Sequence, residues 1–378
     1  MIHILLEILG IILIIIYLLP SKRKIKLEKN KNEEFAIIIP ARNEERVIKG
    51  LMDSLKEQTI KVNFKDVYVM VSDENDLSIP ILKEYGCNIL TRKNPELKRK
   101  GYALDETIKS INKSYDLYFI FDADNILDKN FIKYMLKEYR KGYDIAVSKR
   151  LNKNPNDSAT ACCSGLLFTI LNCFNSLKTF NNENVILSGT GFYVSGAIIN
   201  ELEGFPFNTL TEDYELTLFS IINKYNTRYS KNAMFYDEQP IQFLSTIKQR
   251  TRWVKGYFEN RKKYNKVLIK EYAKTRDFNI LKEIIGIKGI ILLLLGLAIQ
   301  IGFSFSFKVA LYILLSIYLV LLILTIFLLI INPSKLDWKI KYKALIFNPI
   351  FLLSYIVCLF KSFGSVSWDV IKHEKSEM

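Results

Sequence analysis

The chain has 378 residues, with 53 Lys and Arg against 39 Asp and Glu and a net charge of +14. That length holds one globular domain plus a few membrane spans, and the basic balance points to nucleic acid, anionic lipid or phosphorylated substrates as partners. The two histidines, His3 and His373, lie at the ends, which excludes His-based metal sites and Ser-His-Asp chemistry from the middle. The cysteines (Cys87, Cys162, Cys163, Cys173 and Cys358) fit no zinc spacing and read as reduced cytosolic thiols.

Apolar residues collect at the two ends of the chain. Ile2 to Leu19, interrupted only by His3 and Glu7, is long enough to cross a bilayer core of about 30 Å. No basic stretch precedes it and no small-residue cleavage site follows, which argues against a cleaved signal peptide. Residues 1–20 are therefore expected to form a transmembrane helix. Lys22, Arg23, Lys24, Lys26, Lys29 and Lys31 follow, and the positive-inside rule places this basic linker, residues 21–34, in the cytosol.

From Phe35 the pattern changes. Phe35 to Pro40 is a short continuous apolar run, as a buried parallel strand requires. A helix over Glu44 to Gln58 is expected next, with Val47, Leu51 and Leu55 on one face, then a strand over Val67 to Val71. A helix and strand share Ile79 to Leu90. A helix covers Gly101 to Lys113, a strand Leu117 to Phe121, a helix Phe131 to Lys141 and a strand Asp144 to Ser148. Alternation of this kind predicts an open, mostly parallel α/β sheet, whose ligands bind at the carboxyl ends of the strands. Arg42, Asn43 and Glu44 fall at such an end, as do Asp73, Asp122 and Asp124. No Gly-x-Gly-x-x-Gly and no Walker loop follows the first strand, so a phosphate-bearing ligand here needs a metal or basic side chains.

Four clusters carry candidate chemistry. Asp122 and Asp124, two residues apart past a strand, offer hard oxygen ligands to Mg²⁺ or Mn²⁺. Lys100, with Arg92, Lys93, Lys98 and Arg99 before it, opens a helix and suits a diphosphate, or is simply a solvated basic loop. Thr211-Glu212-Asp213 begins a helix, where the residues serve either as a cap or, for Asp213, as a general base. Gln249, Arg252 and Trp253 open a stretch dense in Lys and Arg up to Arg276, with Tyr257, Phe258, Tyr264 and Tyr272 interleaved. Residues 248–283 read as an amphipathic segment at an anionic lipid surface, and Trp253 could also stack on a sugar while Arg252 pairs with phosphate.

The apolar block from Ile284 to Ile331 holds two spans with a turn near Gly302 to Lys308. A third candidate covers Ala344 to Phe360, after a loop carrying Lys335, Lys339, Lys341 and Lys343. Residues 284–360 are thus expected to give two to three transmembrane helices and 361–378 a tail. A full count of spans puts that tail outside, unless one C-terminal segment is interfacial or re-entrant.

In order along the chain, Pro40-Ala41-Arg42-Asn43-Glu44, Asp73, Lys100-Gly101-x-Ala103-Leu104, Asp122-x-Asp124, Thr211-Glu212-Asp213 and Gln249-x-x-Arg252-Trp253 resemble the family-two inverting glycosyltransferases with a GT-A fold. The group resembled is the membrane-embedded one that includes cellulose, chitin, hyaluronan and poly-N-acetylglucosamine synthases. Ser188 to Phe192 and the tail from Trp368 to His373 also look like members of this group. The run Asp73-Glu74-Asn75-Asp76-Leu77-Ser78 is about one residue shorter than the family commonly has.

The resemblance implies a GT-A catalytic domain, a mixed Rossmann-like sheet, over residues 35–247. It implies a UDP-sugar donor, with Pro40 and Arg42 in the nucleotide loop, Glu44 and Asp73 on the uridine, and Lys100 near the diphosphate. Asp122 and Asp124 would hold Mg²⁺ or Mn²⁺, Asp213 would be the base, and Gln249, Arg252 and Trp253 would close over donor and acceptor. The implied reaction carries GlcNAc or glucose to a polysaccharide or lipid acceptor at the plasma membrane, forming a β-linkage. The few spans leave room for dimerisation, or for a single addition to a lipid. A nucleic-acid-binding protein would not need the carboxylates at the strand ends, and a non-catalytic scaffold would not need an intact Asp-x-Asp.

Overall fold

The structure, a computed structural model, describes residues 2–364 other than 22, 24, 30, 31 and 305. In chain order, α1 (Ile2–Leu18) precedes β1 (Phe35–Pro40), α2 (Ile48–Lys56), β2 (Val67–Val71), α3 (Ile79–Tyr85) and β3 (Asn88–Thr91). There follow α4 (Lys100–Lys109), β4 (Leu117–Ile120), β5 (Ile126–Leu127), α5 (Phe131–Arg140), β6 (Ile145–Asn152) and α6 (Ala159–Phe180). Then come β7 (Phe192–Ser195), α7 (Gly196–Glu201), α8 (Glu212–Ile222), β8 (Thr227–Asp237) and α9 (Phe243–Thr275). The chain continues through α10 (Phe278–Ile285), α11 (Lys288–Ser304), α12 (Phe307–Ile331), α13 (Trp338–Leu353) and α14 (Tyr355–Ser362).

The eight strands form one sheet in the order β3-β2-β1-β4-β7-β6-β8-β5. β1 is buried along its centre, which is why its sequence is a continuous apolar run rather than an alternating one. Its alternation shows instead in which layer each residue joins. Ile37 and Ile39 pack with Leu51, Phe119 and Phe131 on one face; Ala36 and Ile38 pack with Leu104, Ile120 and Val194 on the other. The sheet is mixed, as the resemblance implies, with most of its pairings parallel. β3, β2, β1 and β4 are parallel neighbours, but β7 runs antiparallel to both β4 and β6, and β5 antiparallel to β8. The helix expected from Glu44 starts only at Ile48, because Asn43 takes a positive φ of 55° and the chain turns before it coils.

Close backbone contacts set the layer that carries Lys100. A Cβ on Gly101 would lie 1.8 Å from the carbonyl oxygen of Phe207, so α4 seats directly on the loop leading to α8. Gly101→Ala is expected to cost about 1–3 kcal/mol of stability through overpacking; a thermal melt of the purified protein checks this, and an unchanged midpoint would mean α4 is not seated there.

The apolar ends form a separate layer. Among the described residues, four helices are long and apolar enough to cross a membrane: Ala159–Phe180, Phe278–Ser304, Phe307–Ile331 and Trp338–Ser362, with Ile2–Leu18 shorter. α1 and α11 pack through small residues. A Cβ on Gly10 would stand 2.7 Å from Leu293 N, and one on Gly296 would stand 2.6 Å from Glu7 Cγ, the close approach glycine permits between apolar helices. α6, which the sequence reading had not singled out, buries Cys162 and Cys163 against Ala344 and Phe351.

Two expectations about the flanks change. The linker lies against the domain rather than free of it: Arg23 donates to Asn184 Oδ1 at 2.9 Å, Asn226 donates to the carbonyl of Lys26 at 3.2 Å, and Glu33 pairs with Arg140 at 2.6 Å. At its start Ser21 N donates to Glu183, whose carboxylate also takes Lys282 of α10 at 2.8 Å. Lys22, Lys24 and Lys31 lie outside the described residues, as does the tail from Trp368 to His373.

The expected span Ala344 to Phe360 is two helices that meet at Ser354, with Pro349 inside the first. Both ends of this unit are tied to the sheet domain and α9. At one end Asn156 donates to the carbonyl of Lys335 and accepts from Asp337 N; at the other Lys255 donates to the carbonyl of Gly364 and Phe363 stacks on Phe258.

Candidate active site

A cleft of about 950 Å³ opens at the carboxyl ends of β1, β2 and β4. Its walls include Pro40, Arg42, Glu44, Asp73, Lys100, Asp122, Asp124, Gln249 and Arg252. The chain therefore brings together nine of the residues singled out in the sequence, from five separate stretches. Asp213 and Trp253 are not on the open wall. Trp253 sits edge-on to Phe168 of α6, ring centroids 6.3 Å apart. Successive residues on a helix point about 100° apart, so Arg252 facing the cleft turns Trp253 away toward α6. The stacking role expected of Trp253 is therefore not what its packing here provides.

The first loop is built around Asp76. Its buried carboxylate accepts from Asn43 N, Ser72 Oγ and Ser78 N, each at 3.0 Å, and Ser78 Oγ accepts from Glu44 N at 2.9 Å. Burial alone would raise the Asp76 pKa, but these hydrogen bonds outweigh it and hold the group below its ordinary value. Asp76 thus ties the loop after β1 to the loop after β2, which leaves Asp73 exposed at the cleft. Sequence spacing alone did not separate these two aspartates.

At the end of β4, Lys100 Nζ donates to Asp122 Oδ1 at 2.5 Å and to the carbonyl of Gly189 at 2.6 Å. Asp122 N donates to Thr190 Oγ1 at 2.8 Å, and Asn125 donates to Asp124 Oδ1 at 3.1 Å and to Asp237 Oδ1 at 2.9 Å. Arg150 completes the arrangement, pairing with Asp237 at 2.5 Å and donating to the carbonyl of Ser188 at 2.8 Å. Two cations, Lys100 and Arg150, therefore hold adjacent carbonyls of this loop, those of Gly189 and Ser188. Neither Arg150 nor Asp237 was expected from the sequence, because their clasp joins two strands far apart in the chain and leaves no local motif.

Asp213 lies under that loop. A Cβ on Gly189, which has a φ of +86°, would stand 3.8 Å from Asp213 Oδ2 with nothing else within reach, so only a glycine's width separates the carboxylate from the loop. Burial raises the Asp213 pKa, and the nearby Lys100 and Arg150 charges work against that rise. Burial and the Asp213 charge likewise push Glu212 up. Burial lowers Arg252, against the pull of Glu212, Asp122 and Asp213, which places one guanidinium in the field of all three acids. The capping alternative for Thr211 fails: its side chain makes no cap bond, and Asn260 of α9 donates to its Oγ1 at 3.0 Å instead. Gly256 makes this contact possible, since a Cβ there would lie 2.5 Å from the same oxygen.

Asp122 and Asp124 suit a divalent cation in their chemistry. Among the described residues no group of three or more His, Cys, Asp or Glu could enclose a metal. That matches a hard ion held by one or two carboxylates, whose remaining sites go to water and phosphate oxygens. The segment 243–275 is one unbroken 33-residue helix, so the expected start of a separate interfacial segment at residue 248 falls inside a helix. Its first two turns belong to the cleft.

Comparison with known proteins bears on the family and the fold. The family model described as glycosyltransferase like family 2 matches residues 32–256. A probable glycosyltransferase of Bacillus subtilis is 23% identical over 251 residues, covering 61% of this chain and 57% of its own. A poly-beta-1,6-N-acetyl-D-glucosamine synthase of Staphylococcus epidermidis is 20% identical over 264 residues, covering 66% and 59%. The chain thus spans somewhat under three-fifths of the length of these relatives. Among solved structures, a mannosyltransferase of Pyrobaculum calidifontis in complex with GDP-Man and Mn²⁺ superposes with a TM-score of 0.59 at 13% identity, over 95% of this chain and 99% of that one; at that identity the likeness concerns the fold.

Proposed function

Because the chain belongs to glycosyltransferase like family 2, we propose that it is a membrane-bound inverting transferase that moves a sugar from a UDP-sugar to a polysaccharide or lipid acceptor. GlcNAc and glucose are the sugars proposed, with Mg²⁺ or Mn²⁺ required. The observation that carries this reading is the convergence of Lys100, Asp122 and Asp213 on the loop from Ser188 to Gly191, with Asp124 and Arg252 on the wall of the adjoining cleft and Arg252 in the field of Asp122 and Asp213.

In this reading Glu44 and Asp73 bind the nucleoside from the loops that Asp76 ties together. Asp124 and Asp122 would hold the metal, which when bound supplies charge neutralisation for the diphosphate. Lys100 and Arg252 place positive charge where the leaving diphosphate gains negative charge. Asp213 accepts the proton of the acceptor hydroxyl as that oxygen attacks the anomeric carbon from the face opposite the diphosphate. The chain needs no side-chain nucleophile, so one displacement converts an α-linked donor into a β-linked product. Purified protein incubated with a panel of UDP-sugars and Mn²⁺ is expected to release UDP from one or two of them and to stop when the metal is chelated. Release from none, in the presence of oligosaccharide and lipid acceptors, would remove the reading.

The proposed setting is the cytosolic face of the plasma membrane. α1, α10 with α11, and α12 would cross the bilayer, whereas the double tether of α13 and α14 to the sheet domain keeps that pair on the cytosolic side. The C-terminal tail then also lies in the cytosol. A reporter fused after the last residue is expected to be active only in its cytosolic form; activity of a periplasmic or extracellular reporter would overturn this topology. Three crossings are too few to enclose a polysaccharide channel within one chain, which favours transfer to a lipid acceptor or a dimeric assembly.

A further inference from the structure

The positive charges around the cleft fall into two classes. Arg92, Arg99, Lys100 and Arg150 each pair with an acid: Glu106, Glu259, Asp122 and Asp237 respectively. Lys248 and Lys361 also line the cleft, and their ammonium groups make no hydrogen bond or ion pair among the described residues. Arg42 and Lys98 share that state, but they lie on the β1 and α4 side, where the nucleotide loops are. Lys248 and Lys361 come from the opposite wall.

That wall is the seam between α9 and α14. Cys358 donates to the carbonyl of Ile247, next to Lys248, and Lys361 follows Cys358 by three residues, about one helical turn. Arg250 fixes the seam from inside: it is buried, donates to the carbonyl of Phe351 at 2.8 Å, and lies 3.9 Å from the centre of the Phe351 ring. Two long cationic side chains are thus delivered by two packed helices to one edge of a cleft where the acid of the loop before α9, Glu238, is already paired with Lys153. The cleft is also large for one ligand. Its volume of about 950 Å³ stands at the upper end of the range of about 300–1,000 Å³ for ordinary ligand pockets.

We propose that Lys248 and Lys361 form an anion subsite for the acceptor, and that the acceptor is a phosphate monoester rather than a neutral sugar or alcohol. The inference rests on the transferase reading above and adds the substrate class. A phosphate offers two negative charges and several acceptor oxygens to two ammonium groups, which a neutral acceptor does not. The apolar helix α13 packs on the start of α9 through Phe243 and Phe351 and on α6, which α12 also touches, so a phosphate on a membrane-dissolved chain has apolar helices beside the element that carries Lys248.

The test is equilibrium binding to the full chain in nanodiscs of phosphatidylcholine alone, with UDP and Mn²⁺ saturating. The probes are farnesyl phosphate, farnesol and inorganic phosphate. Farnesyl phosphate is expected to bind saturably, and the K248Q/K361Q double variant to weaken it about tenfold or more, the scale of two lost charge-assisted hydrogen bonds. K248R/K361R is expected to restore most of the affinity, which separates lost charge from misfolding. Saturable binding of inorganic phosphate as tight as that of farnesyl phosphate would support the subsite and assign it to soluble phosphates; much weaker binding assigns it to lipid phosphates. Equal binding of farnesol and farnesyl phosphate, or no loss in K248Q/K361Q, overturns the proposal. UDP binding with Mn²⁺, read in the same samples, keeps the two ideas apart. If it persists while the phosphate probes fail, only the acceptor inference falls; if UDP does not bind, the transferase reading falls with it.

Discussion

Asp213→Asn is expected to lower the transfer rate by about 10²- to 10⁴-fold, the usual contribution of a general base, while UDP still binds in the presence of Mn²⁺. The substitution keeps the shape of the side chain and removes only its ability to take a proton. Asp213 does not line the open cleft, so the donor loses no contact; what is lost acts through the narrow gap at Gly189. The competing account makes Asp213 an acid in the first turn of α8, worth about 0.3–1 kcal/mol to the helix. That account predicts a small drop in melting temperature and unchanged turnover. Single-turnover kinetics beside a thermal melt decide between them. The pH profile adds a sign: burial holds the Asp213 and Glu212 carboxyls above their ordinary values, so transfer is expected to rise as pH climbs through the pair's titration. The Asp213→Asn protein is expected to lose that acidic limb.

Asp124→Asn is expected to reduce metal-dependent UDP release by about 10²- to 10³-fold, corresponding to several kcal/mol of lost charge stabilisation at the diphosphate. Asp124 is 9% exposed and takes a hydrogen bond from Asn125, so an amide fits the same space and the fold should hold. Raising Mn²⁺ is expected to recover part of the rate. Asp122 is a poorer test, because it is the charge partner of Lys100, which is itself largely buried. Removing the Asp122 charge takes from that lysine its paired acid and leaves it the Gly189 carbonyl, so a loss of stability can mask the loss of metal; solvent screening at the half-exposed Asp122 keeps that loss small. A metal titration of each variant, read as UDP released, separates loss of the cation from loss of the fold.

The parts of this architecture that the sequence makes legible are those decided by local burial. β1, β2 and β4 are enclosed on both faces, so their runs of Ile, Val and Phe announce them, and a sheet of this type must place Asp73, Asp122 and Asp124 at its ligand edge. What stays hidden depends on contacts between distant segments. The Arg150–Asp237 clasp joins β6 to β8 across 87 residues, and β7 enters the sheet in reverse, with nothing in its four residues to show direction. Trp253 reads as a ligand-stacking residue until the phase of α9 turns it onto Phe168.

The C-terminal pair shows what apolar content leaves open. The segment from Trp338 to Ser362 has the composition of a span. Yet Asn348 bonds Thr325 in the interior and Arg250 reaches the carbonyl of Phe351, and these polar contacts fasten α13 and α14 to their neighbours. Hydropathy measures a segment's average and cannot register a tether at each of its ends.

The most direct test is the anomalous signal of manganese in a structure of the full chain with UDP and Mn²⁺. The account predicts one Mn²⁺ at the Asp124 carboxylate beside the diphosphate, with the uracil against the loop held by Asp76 and Asp213 open to the acceptor side. Nucleotide seated in the cleft with the manganese absent from Asp124, or bound away from the diphosphate, would contradict it.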